Sequence, residues 1–253
     1  MWTYARKEML ERLRTYKIIG FALIFINWGF WSPVLTWLSP YILLLIEDEA
    51  LQDQLRPQLT NPTVNAAVQQ YTEFFTLLPF ALILLLMPTI AWDRKTGMLE
   101  YEFSQPIMRA QIYLGKFLVD AGLIFAGIIL SSGLCLVFTS ILLGEVYIPG
   151  FYAVNGLLLC YLLMLHMLIM CIGAKVPNMI YVAGISLLLY LLVQGIGALP
   201  TIGMYTPAGL IHAATQITVG QDPTMIHFAL MSAATLSFGA FFWGLRSFIR
   251  QDL

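Results

Sequence analysis

Six stretches of the chain, roughly 18–46, 71–92, 117–143, 151–173, 179–199 and 226–245, run with almost no charge. A hydrocarbon core is crossed by about 20 residues of helix, so each stretch is long enough to span a bilayer. Each is apolar on every side rather than at alternate positions, which predicts helices and not the strands of a barrel. Charged residues make up 11% of the chain, against about 25% in soluble domains, and the mean hydropathy is +0.80. The expected fold class is therefore all-α: one polytopic membrane unit over residues 1–253, with no room for a separate soluble domain.

Lys and Arg fix the expected orientation, because they collect on the cytoplasmic side of short loops. With a cytoplasmic N terminus, that side holds Arg6, Lys7, Arg12, Arg14, Lys17, Arg94, Lys95, Arg109, Lys116, Lys175, Arg246 and Arg250, leaving only Arg56 opposite. Acids gather on the other side, at Glu47, Asp48, Glu49, Asp53, Glu145 and Asp222. Both termini are thus expected in the cytoplasm. The net charge of −1 conceals this asymmetry, and nucleic acid is not an implied partner.

Residues 1–17, MWTYARKEMLERLRTYK, carry too many charges for the apolar core of a signal peptide and are expected to stay on the mature protein. Trp2, Ala5, Met9, Leu13 and Tyr16 form one apolar stripe, with Lys7, Glu11 and Arg14 opposite, as in a helix lying in the membrane interface. Pro33 and Pro40 predict a bent outer end for the first span. Residues 47–70 read as a polar outer loop. Residues 200–225 are too apolar for such a loop and read as short helices re-entering the outer leaflet, one of them capped by Thr206 and stopped before Gly220.

The segment between the second and third spans, AWDRKTGMLEYEFSQPIMRAQIYLGK (91–116), is charged far beyond what a connection needs. Gly97 to Ser104 has the length of a two-turn helix ending before Pro106. Leu99 and Phe103 share one face at i, i+4, with Glu100 and Glu102 beside them. Apolar knobs with charged flanks suit docking into a groove on another protein.

This segment resembles the first cytoplasmic loop of the type 2 ATP-binding-cassette export permeases. The matching residues are Asp93, Arg94, Gly97, Leu99, Glu100, Pro106, Gly115 and Lys116, with Asp93 where Glu is commoner and Met98 where Thr is commoner. The N-terminal ARKEMLERLRTYK resembles the family's interfacial helix, and RSFIRQDL its short basic end. The resemblance implies a permease subunit that pairs with a second permease chain, identical or related, and with two separate ATPase subunits that bind ATP and Mg. It implies that loop 93–108 is the ATPase-coupling element and that export proceeds by alternating access. The sequence agrees that ATP binds elsewhere, since it contains no G-x-x-x-x-G-K-[ST] loop, so no cofactor and no catalysis are expected in this chain. The resemblance is nearest to exporters of bacteriocins and other membrane-active peptides in a bacterial plasma membrane. The alternatives are a drug or lipid exporter, or a non-transporting assembly or sensing subunit.

Polar groups within spans are costly and mark candidate paths. Those singled out are Asn27, Glu73, Gln194 and His166, with Asn155 as a further buried polar group and Asp120 expected as a local partner of Lys116. In the resembled family the second and fifth spans line the route, which gives Glu73 and Gln194 most weight. Ser186 with His166 or His227 is a weak match to an intramembrane protease, because Leu187 stands where the motif wants Gly. His166, His212, His227, Cys135, Cys160 and Cys171 show no metal-site spacing.

Overall fold

A computed structural model describes residues 2–46, 62–199, 201–223 and 225–250. The chain is an all-α polytopic membrane protein. Among the described residues there is no strand, and six helical segments are long and apolar enough to cross a membrane: Lys17–Leu44, Val64–Lys95, Arg109–Leu142, Ile148–Lys175, Met179–Gly197 and Ile226–Ile249. The acids at 47–53 and Arg56 fall outside the described residues.

Helix α1 (Trp2–Arg14) turns into α2 (Lys17–Leu44) at Tyr16, which adopts φ 58°, a left-handed conformation uncommon for a bulky residue. Helix α2 runs unbroken through Pro33 and Pro40, the two residues expected to bend its outer end. Pro40 withholds the N–H that the Thr36 carbonyl would accept, and the Ser39 hydroxyl donates to that carbonyl instead, at 2.8 Å. The lost hydrogen bond is thus replaced locally.

The second span departs from expectation. It begins at Val64 rather than 71, so residues 64–70 are helix and not outer loop; Thr63 caps the start by accepting from the Ala66 N–H. The span is built of α3 (Val64–Phe74), α4 (Leu78–Leu86) and α5 (Pro88–Lys95); it tightens at Phe75–Leu77, next to Pro79, while Met87 before Pro88 keeps helical torsions and its bond to the Ile83 carbonyl. A two-residue turn leads to α6 (Met98–Ser104), followed by α7 (Arg109–Leu142), α8 (Ile148–Lys175) and α9 (Met179–Gly197). In 200–225 the described residues form a 3₁₀ turn (Gly203–Tyr205) and α10 (Gly209–Thr218). Thr206 bonds back to the Gly203 carbonyl and caps that turn, not the helix that follows. Helix α11 (Ile226–Ile249) completes the bundle.

The core centres on α8, whose Val154, Leu158, Tyr161, Leu162 and Leu165 are buried. Interfaces between spans use small residues, as expected where lipid supplies no hydrophobic drive between helices. A Cβ on Gly29 would meet the Ser131 carbonyl oxygen at 2.2 Å, so α2 and α7 cross nearly backbone to backbone. One buried polar cluster is paired: Tyr71 donates to Asn155 Oδ1 at 2.8 Å, lies 3.2 Å from Ser131 Oγ and stacks on Trp28 at 4.3 Å. Helix α9 is the least buried span, with Val182, Ser186, Tyr190 and Gly197 facing the chain.

Candidate functional site

The charged segment 91–116 buries one side in the chain and leaves the other exposed. Thr96 and Gly97 join α5 to α6; Gly97 sits at φ 73°, where a side chain would be strained, and starts α6 in a new direction. Leu99 is fully buried in a small apolar cluster with Tyr4, Ile90, Ile112, Tyr113, Met170 and Phe248. Phe103 packs edge-on against Phe248 at 5.4 Å, and the Arg109 guanidinium covers its ring at 4.6 Å. Arg109 also donates to the Ile249 carbonyl, and Arg94 donates to the Ala174 and Lys175 carbonyls at the C-terminal end of α8. Cations on last-turn carbonyls complement the helix dipole as well as the orphan acceptors. One end of the bundle thus joins α1, α5, α6, the start of α7 and the ends of α8 and α11.

Two apolar knobs expected to face a partner are therefore turned inward. Leu99 has no surface to offer, and Phe103 is half-buried against the chain's own C-terminal helix. The reason lies in α11 and α1, whose docking the local i, i+4 pattern could not reveal. The outward face of this end carries Trp92, Met98, Tyr101 and Met108, with Glu100, Gln105 and Pro106 also exposed.

Beneath α6 lies a buried ionic network that local reading missed. Tyr4, Glu8 and Arg12, at i, i+4 and i+8, form the inward face of α1. Lys116, fully buried, pairs with Asp93 and with Glu8 at 3.1 Å, and lies 3.9 Å from Glu102. Arg12 lies 3.1 Å from Glu8 and grips Asp120 through Nε at 3.2 Å and Nη2 at 3.3 Å. Thr89 donates to Asp120 at 2.8 Å. Asp120 is consequently the partner of Arg12 and Thr89 rather than of Lys116, because α1 lies across this end of the third span. Tyr4 donates to Glu102 at 2.9 Å, and Lys7 closes the circuit on the same carboxylate. The signal available in the sequence was the period-four row Tyr4, Glu8, Arg12 with Lys116 and Asp120 one turn apart.

Titration follows from this geometry. Burial pushes the Tyr4 phenol far up, so it stays a hydrogen-bond donor. Burial alone would raise Glu8, but Lys116 and Arg12 outweigh it and hold the carboxyl below its usual range. Burial likewise opposes the Arg12 charge, and Asp120 and Glu8 overcome it, raising its pKa.

Of the path candidates, three lie along one side of the bundle. Asn65, Gln69, Glu73 and Thr76 are exposed at spacings of four, four and three, a polar stripe along α3 into the turn at Phe75–Leu77. Three i→i+3 bonds, at Thr76, Leu77 and Leu78, tighten this turn. Trp28 donates to the Tyr71 carbonyl at 2.8 Å and Tyr190 to that of Thr76 at 2.8 Å, while Gln194 donates to the Tyr190 hydroxyl at 3.2 Å. Asn27 is exposed and, with Trp28, Trp31, Phe74, Leu77 and Leu78, lines a cavity of about 410 Å³ beside the tightened turn. His166 does not join them. It is fully buried, stacked on Phe117 at 5.2 Å, with Nε2 3.3 Å from the Phe117 carbonyl. Ser186 is buried and its hydroxyl makes no hydrogen bond among the described residues, so no Ser–His pair is assembled there.

No family model matches this sequence, and no curated protein matches it significantly. What the geometry defines is a multi-pass membrane protein with a packed, ion-paired end and a second span that carries an exposed polar stripe.

Proposed function

We propose that the chain is the permease subunit of an ATP-driven exporter in a bacterial plasma membrane, working with a second permease chain and two ATPase subunits. Both termini and the 93–108 element face the cytoplasm. The observation that carries this reading is the fixing of α6: one short helix is buried on its inner side against α1, α7, α8 and α11 and leaves Met98 and Tyr101 outward, with Met108 exposed just before α7. A partner pushing on that face would move a packed assembly, and with it the second and third spans, rather than a flexible loop. ATP and Mg belong to the partner in this scheme.

The second span, tightened at Phe75–Leu77, supports a path along the Asn27, Glu73 and Gln194 side. Irregular backbone at membrane depth is tolerated where protein or water covers it. The exposed stripe Asn65, Gln69, Glu73 and Thr76 then faces a second copy or an aqueous route, not lipid. The mixed lining of Asn27 with Trp28, Trp31 and Phe74 favours an amphipathic cargo such as a membrane-active peptide.

Co-purification with the ATPase tests the reading. Met98→Asp with Tyr101→Asp should strip the ATPase from the complex and stop export while the chain still inserts; truncated interface anchors cost about 1–4 kcal/mol. Full ATPase recovery and export from that variant would overturn the coupling role. In a variant without native cysteines, Glu145→Cys should label in intact cells and Lys95→Cys only after permeabilisation. The reverse pattern would overturn the orientation.

A further inference from the structure

A groove of about 610 Å³ lies between α1 and the start of the third span, walled by Ala5, Met9 and Leu10 on one side and by Val119, Gly122 and Ala126 on the other. Its single charged lining residue is Arg6, which is exposed. We propose that this groove binds one acyl chain of an anionic phospholipid, with the lipid phosphate on the Arg6 guanidinium.

Three observations lead there, and the inference rests on the orientation proposed above only in placing this end on the cytoplasmic side. The first is place: the groove begins two residues beyond buried Lys116, at the charged end of a membrane span, and from Leu118 to Ala126 it follows about 12 Å of helix. What flanks it, Met9, Leu10, Leu13 and Phe125, is exposed and apolar, as suits the acyl boundary beneath headgroups. The second is charge. The acids of α1 are engaged elsewhere, Glu8 by Lys116 and Arg12 and Glu11 by Lys7, so Arg6 has no carboxylate partner among the described residues. A phosphate supplies the missing counter-ion, and basic pockets between membrane helices on the cytoplasmic side take anionic headgroups. The third is space. A Cβ on Gly122 would meet nothing within 4 Å, so the floor of the groove is open because this residue has no side chain.

The test is native mass spectrometry of the full-length protein in detergent, with phosphatidylglycerol or phosphatidylcholine added. Wild type should retain one phosphatidylglycerol per chain in preference to phosphatidylcholine, and inorganic phosphate should not compete it off. Arg6→Gln should cut that preference about fivefold, the worth of one cation near an anionic headgroup. Gly122→Leu should lose the retained lipid of either headgroup, since its side chain starts from a Cβ in open space and extends into the groove. Arg14→Gln, an exposed cation on the other side of α1, should behave as wild type. Equal retention of the two lipids by wild type, or unchanged retention in both Arg6→Gln and Gly122→Leu, would overturn the site.

Discussion

Replacing Lys116 by Met keeps the length of the side chain and removes its charge from the centre of the ionic network. In the intact protein Lys7, Arg12 and Lys116 pair with Glu8, Asp93, Glu102 and Asp120, and Lys17 lies close enough to Asp120 and Asp93 to feel their charge. The substitution removes the cation central to Glu8, Asp93 and Glu102, all nearly inaccessible to water. At an effective dielectric of about 20, the Glu8 contact at 3.1 Å alone is worth about 5 kcal/mol of attraction. Removing the buried lysine also removes its own desolvation cost, so the net loss is smaller. Orphaning one side of a buried pair costs about 3–5 kcal/mol. For a chain of this size that is about 6–20 °C in melting temperature. The assay is thermal unfolding in detergent, alongside Asp93→Asn and the double variant. Because Asp93→Asn discharges one orphaned acid, the double variant should be more stable than the sum of the single losses, with a coupling of about 1–3 kcal/mol. A loss below about 1 kcal/mol for Lys116→Met, or strict additivity in the cycle, would refute the network as a structural tie between α1, the second span and the third.

Acid should act through the same group: Glu8 is depressed in the folded chain by Lys116 and Arg12 despite its burial. Its contribution is complete above the ordinary carboxylate value and is lost as pH falls through the depressed one. Melting temperature measured from pH 7 to pH 3 should therefore fall at the acid end, and Glu8→Gln should start lower and fall less. Gly29→Ala should destabilise by about 1–3 kcal/mol, since the new methyl meets the Ser131 backbone at 2.2 Å. The control Gly133→Ala meets nothing within 4 Å and should be neutral or gain up to about 1 kcal/mol in the same melts. Tyr190→Phe leaves the Thr76 carbonyl without its donor and should cost about 1–3 kcal/mol, with faster amide exchange in residues 75–78 as its local signature.

How far this was legible in the sequence depended on whether the responsible interaction was local. The six spans follow from runs of apolar residues, a local property, and all six stand near their expected positions. The two-turn helix after Gly97 is equally local, fixed by a positive-φ glycine at one end and Pro106 beyond the other. The start of the second span was lost because Asn65, Gln69 and Gln70 look like loop by polarity. They are helix because Ala67, Val68 and Tyr71 on the opposite face bury themselves in the chain. Leu99 was assigned to a partner for a related reason: an i, i+4 apolar pair reports that something covers it, not what. Here the cover is Tyr4, Tyr113 and Phe248, which lie on the N-terminal helix and the third and sixth spans. The same distance hid Arg12 from Asp120, 108 positions apart. Reading α1 by its apolar stripe found the face turned outward; the polar row Tyr4, Glu8, Arg12 was the inward one. In a membrane protein that inversion is physically natural. Lipid covers an apolar stripe without loss, whereas ionised groups need one another, so polar periodicity is the better guide to which face of such a helix meets the protein.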